Sequence, residues 1–435
     1  MEKIEPLTLR RNFSWTFIGN TVYAACQWGM LVVLAKLGSP EMVGQFTLGL
    51  AVTAPVIMFT NLQLRAVQAT DAKQKYLFGD YLGLRSIATM LGFLVIVGIT
   101  IASGYRWQTS LVILIIGLAK GFESISDVFY GLIQQHERMD RIAISMMIKG
   151  PLSLLLLGIG VYCRGSVLWG SVGLAIAWAI VLFSYDIRSG ALLLKTSPSV
   201  TSQHKSTTIS RNPLHPRWNL KILGQLTCLS LPLGVVMMLI SLNSNIPRYF
   251  IQSYLGEREL GIFAALAYLM VAGNMVILAL GQSASPRLAK YYAMGNSQAF
   301  RTLLIELVGI GGAIGVVAVS IAQVAGRELL TIIYRPEYAQ QKDLFVQVMV
   351  AAGIGYVASF LGYGITAARY FLIQIPLFIG VTATSAIASL WLIPSLGLSG
   401  AALALILAAI VQTVFSLGAI FYALHKIPQA GEMET

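Results

Sequence analysis

The sequence predicts an all-α integral membrane protein with twelve transmembrane helices. Three observations predict it. Of the 435 residues, 56% are hydrophobic and only 11% are charged, against about 25% charged in an average soluble domain. Mean hydropathy is +0.74. The apolar runs reach about 20 residues, the length a helix needs to cross a bilayer, whereas a membrane β-barrel shows alternating segments of about 10. Together these exclude a soluble enzyme, a disordered chain and a secreted disulfide scaffold.

In chain order the spans are expected at 13–36, 42–64, 81–103, 109–133, 142–163, 166–186, 222–246, 260–282, 302–324, 343–367, 371–393 and 398–423. Only Ala368-Arg369-Tyr370 separates the tenth from the eleventh. With the N-terminus in the cytoplasm, the inner segments hold twenty Lys and Arg and the outer ones eight; Lys120 and Lys149 lie within spans. That excess puts both termini inside a bacterial cytoplasmic membrane. It also accounts for the net charge of +12 without a nucleic-acid partner. Cys26, Cys163 and Cys228 lie in or beside apolar runs without C-x-x-C spacing and read as packing residues. The apolar run continues past Cys26 to Leu34, as a permanent span does and a signal peptide does not. His136, His204, His215 and His425 make no ligand pattern, so no metal or cofactor is expected.

The longest connection, about 187–220, is rich in Ser, Thr, Pro and basic residues, and reads as a flexible linker. Its end, 217–221, is expected to begin an interfacial helix. The organisation predicted is a six-helix lobe over 1–190, a cytoplasmic linker over 191–220 and a second six-helix lobe over 221–435. The halves echo each other. Leu37-Gly38-Ser39-Pro40-Glu41-Met42-Val43-Gly44-Gln45-Phe46 matches Leu255-Gly256-Glu257-Arg258-Glu259-Leu260-Gly261-Ile262-Phe263 with one gap, at an offset of 217–218. Pro55 falls close to Gly273 at that offset, and both soften a helix. Gly131 and Arg138 pair with Gly362 and Arg369, each seven apart. An even number of spans per half makes these parallel repeats.

No nucleotide-binding loop, hydrolase elbow or zinc-protease motif is placed where it could work. The polar residues inside spans carry the information, because ionisable groups at membrane depth are costly. Lys120, Glu123, Asp127, Tyr130 and Gln134 in span 4 are spaced 3, 4, 3 and 4, and so share one helix face. Two readings fit that stripe. In one, Lys120 pairs with Glu123 and the stripe locks helices together. In the other, Glu123 or Asp127 binds a proton or cation. In span 1, Thr16, Asn20, Tyr23 and Gln27 share a face; in span 7, Ser241, Asn245 and Arg248 do; span 8 adds Asn274 and Gln282. These suit either interhelical hydrogen bonds or a hydrated cavity that binds sugar. Arg65, Lys149, Arg248, Arg287 and Arg369 are the candidates for an anionic ligand, since guanidinium forms paired bonds with phosphate oxygens. For Arg65, Arg287 and Arg369 an orientation anchor is the competing reading.

Tyr130-Gly131-Leu132-Ile133-Gln134-Gln135-His136-Glu137-Arg138-Met139-Asp140-Arg141-Ile142-Ala143-Ile144-Ser145 resembles the cytosolic turn between spans 4 and 5 of polysaccharide transporters, the Wzx-type flippases. The segment 37–46 is similar to that family's first outer turn, and Asn61-Leu62-Gln63-Leu64-Arg65 to its end of span 2. The resemblance implies the fold of the multidrug/oligosaccharidyl-lipid/polysaccharide exporter superfamily, a V-shaped transporter of two lobes around a central cavity. It implies a non-enzymatic flippase that moves polyprenyl-diphosphate-linked oligosaccharide for O-antigen, lipopolysaccharide or exopolysaccharide synthesis. Asn20, Tyr23, Gln27, Arg65, Lys149, Asn245, Arg248 and Asn274 would line the cavity. Membrane lipids, a proton or sodium counter-ion and the polysaccharide polymerase machinery are the further partners implied. Two alternatives stand beside it: a cation-coupled multidrug exporter and a membrane glycan polymerase or ligase. Exporters of the superfamily often carry an early acidic residue, which the cores of spans 1 and 2 lack. An enzyme needs a large outer loop, and none exceeds about 20 residues here.

Overall fold

In the computed structural model, residues 8–69, 71, 75–196 and 214–426 are described. The predicted linker segment 197–213, with His204, lies outside them. Among the described residues every regular element is helical. They are α1 (Leu9–Leu37), α2 (Pro40–Thr60), α3 (Leu64–Ala69), α4 (Phe78–Ala102), α5 (Trp107–Gln135), α6 (Met139–Arg164), α7 (Val167–Val181) and α8 (Ile187–Thr196). After the linker come α9 (Leu220–Tyr254), α10 (Glu257–Tyr268), α11 (Met270–Ala293), α12 (Ser297–Ile333), α13 (Pro336–Ala339), α14 (Lys342–Ala367), α15 (Phe371–Leu396) and α16 (Leu398–His425). Among the described residues, eleven helical segments are long and apolar enough to cross a membrane. The predicted fourth span is α5. It has 29 residues, ample length, but Lys120, Glu123 and Asp127 lower its hydropathy.

The chain divides into unit 1, Met1–Ser241, and unit 2, Leu242–Thr435, with the boundary inside α9. Leu223 and Leu226 of α9 are buried with Leu62, Tyr81, Phe129 and Leu182, so the start of α9 belongs to the core of unit 1. The core of unit 2 is built on Leu288, Phe300, Leu304, Phe360, Val381 and Ile420. The two units share part of their helix pairing, although the α1–α6 packing of unit 1 has no α9–α15 counterpart among the principal pairings of unit 2. In unit 1, α2 and α4 pack on α5, α5 on α7, and α6 on α7. In unit 2, α11 and α12 pack on α14, α14 on α16, and α15 on α16.

Two turns recur in both units. Gly165 and Gly397, each at a helix end, have φ of 58° and 61°, a region open to glycine at little cost. The turn after α5 has Glu137 at φ 54° and the turn after α14 has Arg369 at φ 62°. In each, the next N–H reaches back five residues: Arg138 to Ile133 O, and Tyr370 to Ile365 O, both at 3.2 Å. The structural counterpart of Arg369 is therefore Glu137. The echo between Arg138 and Arg369 is one residue out of register, because the left-handed turn position and not side-chain identity aligns the repeats. Pro55 lies inside α2, and the corresponding stretch is interrupted at Leu269, between α10 and α11.

The linker reading needs two corrections. Residues 187–196 are not linker but α8, because Leu193 is buried with Tyr130, Ile133 and Ile142. Residues 215–219 are not helical. Arg217 N–H donates to Gly79 O at 2.8 Å, and the Asn219 side chain accepts from Lys221 N–H at 3.1 Å, capping α9.

Candidate functional site in unit 1

The stripe on α5 organises a polar network from α1 to the end of α7. It begins at Glu123. Lys120 Nζ donates to Glu123 Oε2 at 2.7 Å, and the Tyr23 hydroxyl of α1 donates to Glu123 Oε1 at 2.9 Å. Gln27 lies beside the same hydroxyl, one turn along α1. Lys120 also sits over the buried Trp178 ring of α7, 4.9 Å from its centre. Glu123 stays 31% exposed.

One turn further along α5, Asp127 meets two guanidinium groups. Arg85 of α4, fully buried, donates to Asp127 Oδ2 at 3.0 Å and also bonds Asn61 Oδ1. Arg65 of α3 is 3.6 Å from Asp127 Oδ1 and donates to Gln134 Oε1 at 3.0 Å. Arg65 and Asp127 are 27% and 26% exposed. The segment between α2 and α3 turns through Leu62 and Gln63, both at φ 51°, which delivers Arg65 back toward α5. Left-handed φ at a bulky residue such as Leu is uncommon and persists only where its surroundings hold it. Leu62, 5% exposed in the core, is so held.

The third cluster is closed. Lys149 of α6, 2% exposed, donates to the Tyr130 hydroxyl at 2.9 Å and lies 3.7 Å from Asp186 Oδ2. The Ser145 hydroxyl is 2.7 Å from that of Tyr130 and donates to Asp186 Oδ1 at 2.6 Å. Asp186 is fully buried and ends a π-helical turn, Leu182–Asp186, between α7 and α8. At the turn between α5 and α6, outside the spans, the Asp140 carboxylate bonds Arg138 at 2.8 Å and pushes the Arg138 guanidinium up from its ordinary value.

The structure thus joins Tyr23, Gln27 and Glu123 in one group, and Arg65 and Asp127 in another. It does not join Lys149 to Asp127; Asp186 takes that lysine and Arg85 takes that aspartate. Asn20 is exposed on α1. In unit 2, Arg248 donates to Asn245 at 2.9 Å, beside Tyr249 and Tyr268. Asn274, Gln282, Arg287 and Arg369 are exposed. Sequence reasoning passed over Arg85 and Asp186. Both stand near predicted span ends, where Arg85 counted as an orientation anchor. The signal was there: an ionisable residue four positions into a span asks for a buried partner.

Comparisons with known proteins complete this picture. Residues 9–292 match the family described as polysaccharide biosynthesis protein. The chain is 28% identical over 410 residues to the capsular polysaccharide biosynthesis protein CapF of Staphylococcus aureus, covering 93% of this chain and 97% of that one. Among solved structures it resembles an inward-facing multidrug resistance MATE family transporter of the MOP superfamily, at 13% identity and a TM-score of 0.68, over 97% of this chain and 100% of that one. It also resembles the lipid II flippase MurJ in an inward closed conformation, at 12% identity and a TM-score of 0.68, over 95% and 89% of the two chains. These likenesses bear on the fold alone, which the chain shares with both. A chain matched over residues 9–292, just under two thirds of its length, by one family model belongs to the polysaccharide biosynthesis protein family.

Proposed function

We propose that this protein is a flippase for polyprenyl-diphosphate-linked oligosaccharide, carrying it from the inner to the outer leaflet of a bacterial cytoplasmic membrane by alternating access. Family membership supports the polysaccharide context. The observation that carries the chemistry is the half-open edge of the unit 1 network. Arg65 there offers a guanidinium to phosphate oxygens, while Tyr23, Gln27 and Gln134 offer phenol and amide groups to sugar hydroxyls. Asn20 extends that set along α1. Asn245, Arg248 and Asn274 keep the same proposed role in unit 2. Lys149, closed off by Tyr130 and Asp186, serves from behind, by holding Tyr130. Glu123 and Asp127 each hold a basic partner within 3.0 Å, which favours ion pairing over a free cation site in this state. A coupling proton or sodium ion would have to compete with those bases.

The relative's printed name makes capsule the first surface polymer to test, ahead of O-antigen. The experiment is leaflet-resolved measurement of polyprenyl-diphosphate glycan in a deletion strain and its parent. Accumulation in the inner leaflet on deletion, reversed by the intact gene and not by Arg65→Gln, is the expected outcome. Accumulation of single units in the outer leaflet would instead mark a polymerase or ligase. An unchanged pool with altered dye efflux would mark the multidrug exporter.

A further inference from the structure

Tyr130 touches both the open and the closed part of the unit 1 network. On the open side the Arg65 guanidinium stands 5.5 Å from the centre of its ring. On the closed side its hydroxyl meets Lys149 and Ser145, and through Ser145 reaches Asp186. Asp186 ends the π-helical turn Leu182–Asp186. Such turns hold one residue more than an α-helical turn and recur at functional sites. Exchange between the two forms changes the register of everything beyond. What lies beyond is α8, with Leu193 buried beside Tyr130 itself and Arg188 exposed.

A buried Lys–Asp pair is weak evidence for stability, because desolvation offsets its attraction; its best-attested use is to set register. This one has a second arrangement within reach. Asp186 Oδ2 is buried without a hydrogen bond, and Lys149 Nζ stands 3.7 Å from it while bonded to Tyr130 at 2.9 Å. Loss of the Tyr130 bond lets Lys149 close on Asp186.

We propose that Tyr130 is a positioning residue that ties the state of Arg65 to the π-helical turn, so that ligand phosphate drawing Arg65 away from Asp127 and the Tyr130 ring changes the register of α8. This rests on the reading of Arg65 as the phosphate contact. The two-state element it names is the π-helical turn, and the test below measures its exchange.

The test uses the full chain in lipid nanodiscs with Cys26→Ala, Cys163→Ala and Cys228→Ala, and Arg188→Cys as reporter. The readout is the rate of reaction with a water-soluble maleimide. Arg65→Gln removes the cation with no ligand present. It should change the rate about threefold or more, and Tyr130→Phe should abolish that change, since contacting residues show coupling of this size. Phe keeps the ring under Arg65 and removes only the hydroxyl. Ser145→Ala, which cuts the same link elsewhere, should act alike and serves if Tyr130→Phe does not fold. An Arg65→Gln effect equal in all three backgrounds overturns the proposal, as does no effect in any. A second arm adds undecaprenyl diphosphate to the chain with Arg65 intact. If it leaves the rate unmoved while the mutational coupling holds, the phosphate reading of Arg65 fails and the Tyr130 link stands.

Discussion

Arg85 and Arg65 both pair with Asp127, yet their surroundings assign them different work. Arg85 is fully buried and bonded to Asn61 as well, whereas Arg65 is about a quarter exposed. Removing one member of a buried pair typically costs about 3–5 kcal/mol, while partly exposed pairs contribute about 1 kcal/mol or less. Arg85→Leu is therefore expected to lower the unfolding midpoint of the purified chain sharply. Arg65→Gln should move it little and abolish transport. Equal losses of stability would remove this distinction. The spacing on α5 placed Glu123, Asp127, Tyr130 and Gln134 on one face, and the structure finds a partner from another helix for each. The partners themselves were not readable, because pairing between helices depends on how they pack and not on intervals within one of them.

Among the elements, α12 and α14 approach each other backbone to backbone in unit 2. A Cβ built on Gly315 would stand 2.5 Å from Gly353 Cα. Backbones this close exclude side chains, as small-residue interfaces do in membranes. Gly315→Leu should force the two helices apart and cost about 1–3 kcal/mol, the usual range for overpacking. Thermal unfolding of the reconstituted chain checks it, with Gly312→Leu, which meets open space, as the control expected to be silent. The span positions were legible in hydropathy, and each falls on a helix, although α9, α11 and α12 run eight to eleven residues past the expected ends. The π-helical turn, the continuation into α8 and the cap at Asn219 were not. Each depends on a contact made across the fold: Ser145 on Asp186, Leu193 in its cluster, and Arg217 on the backbone of Gly79.

At the scale of the whole chain, the bias of Lys and Arg toward one set of connections predicts an orientation that labelling can test. Cys163, exposed at the end of α6, is expected on the outer side, and Glu137 in the turn after α5 on the inner side. In intact cells an impermeant maleimide should label Cys163. It should reach Glu137→Cys, in a chain freed of native cysteines, only after permeabilisation. The reverse pattern would invert the topology and with it the direction of proposed transport. The charges are divided unevenly as well. The ionic network described for unit 1 rests on Arg65, Arg85, Lys120 and Lys149 with three carboxylates. Arg248, in unit 2, is held by the neutral Asn245.

The sequence by itself determined the class of solvent, the order of the apolar helices and the face on which the charged residues of α5 lie. These are properties of composition and period, and they survive without knowing any contact. The tertiary structure alone decided which charge neutralises which. It gave Asp127 to Arg85 and Arg65, gave Lys149 to Tyr130 and Asp186, and set the repeat register at Glu137 instead of Arg138. A buried ion must be paired by whatever group the packed helices bring within a few ångströms, and that distance is written in no single segment of the chain.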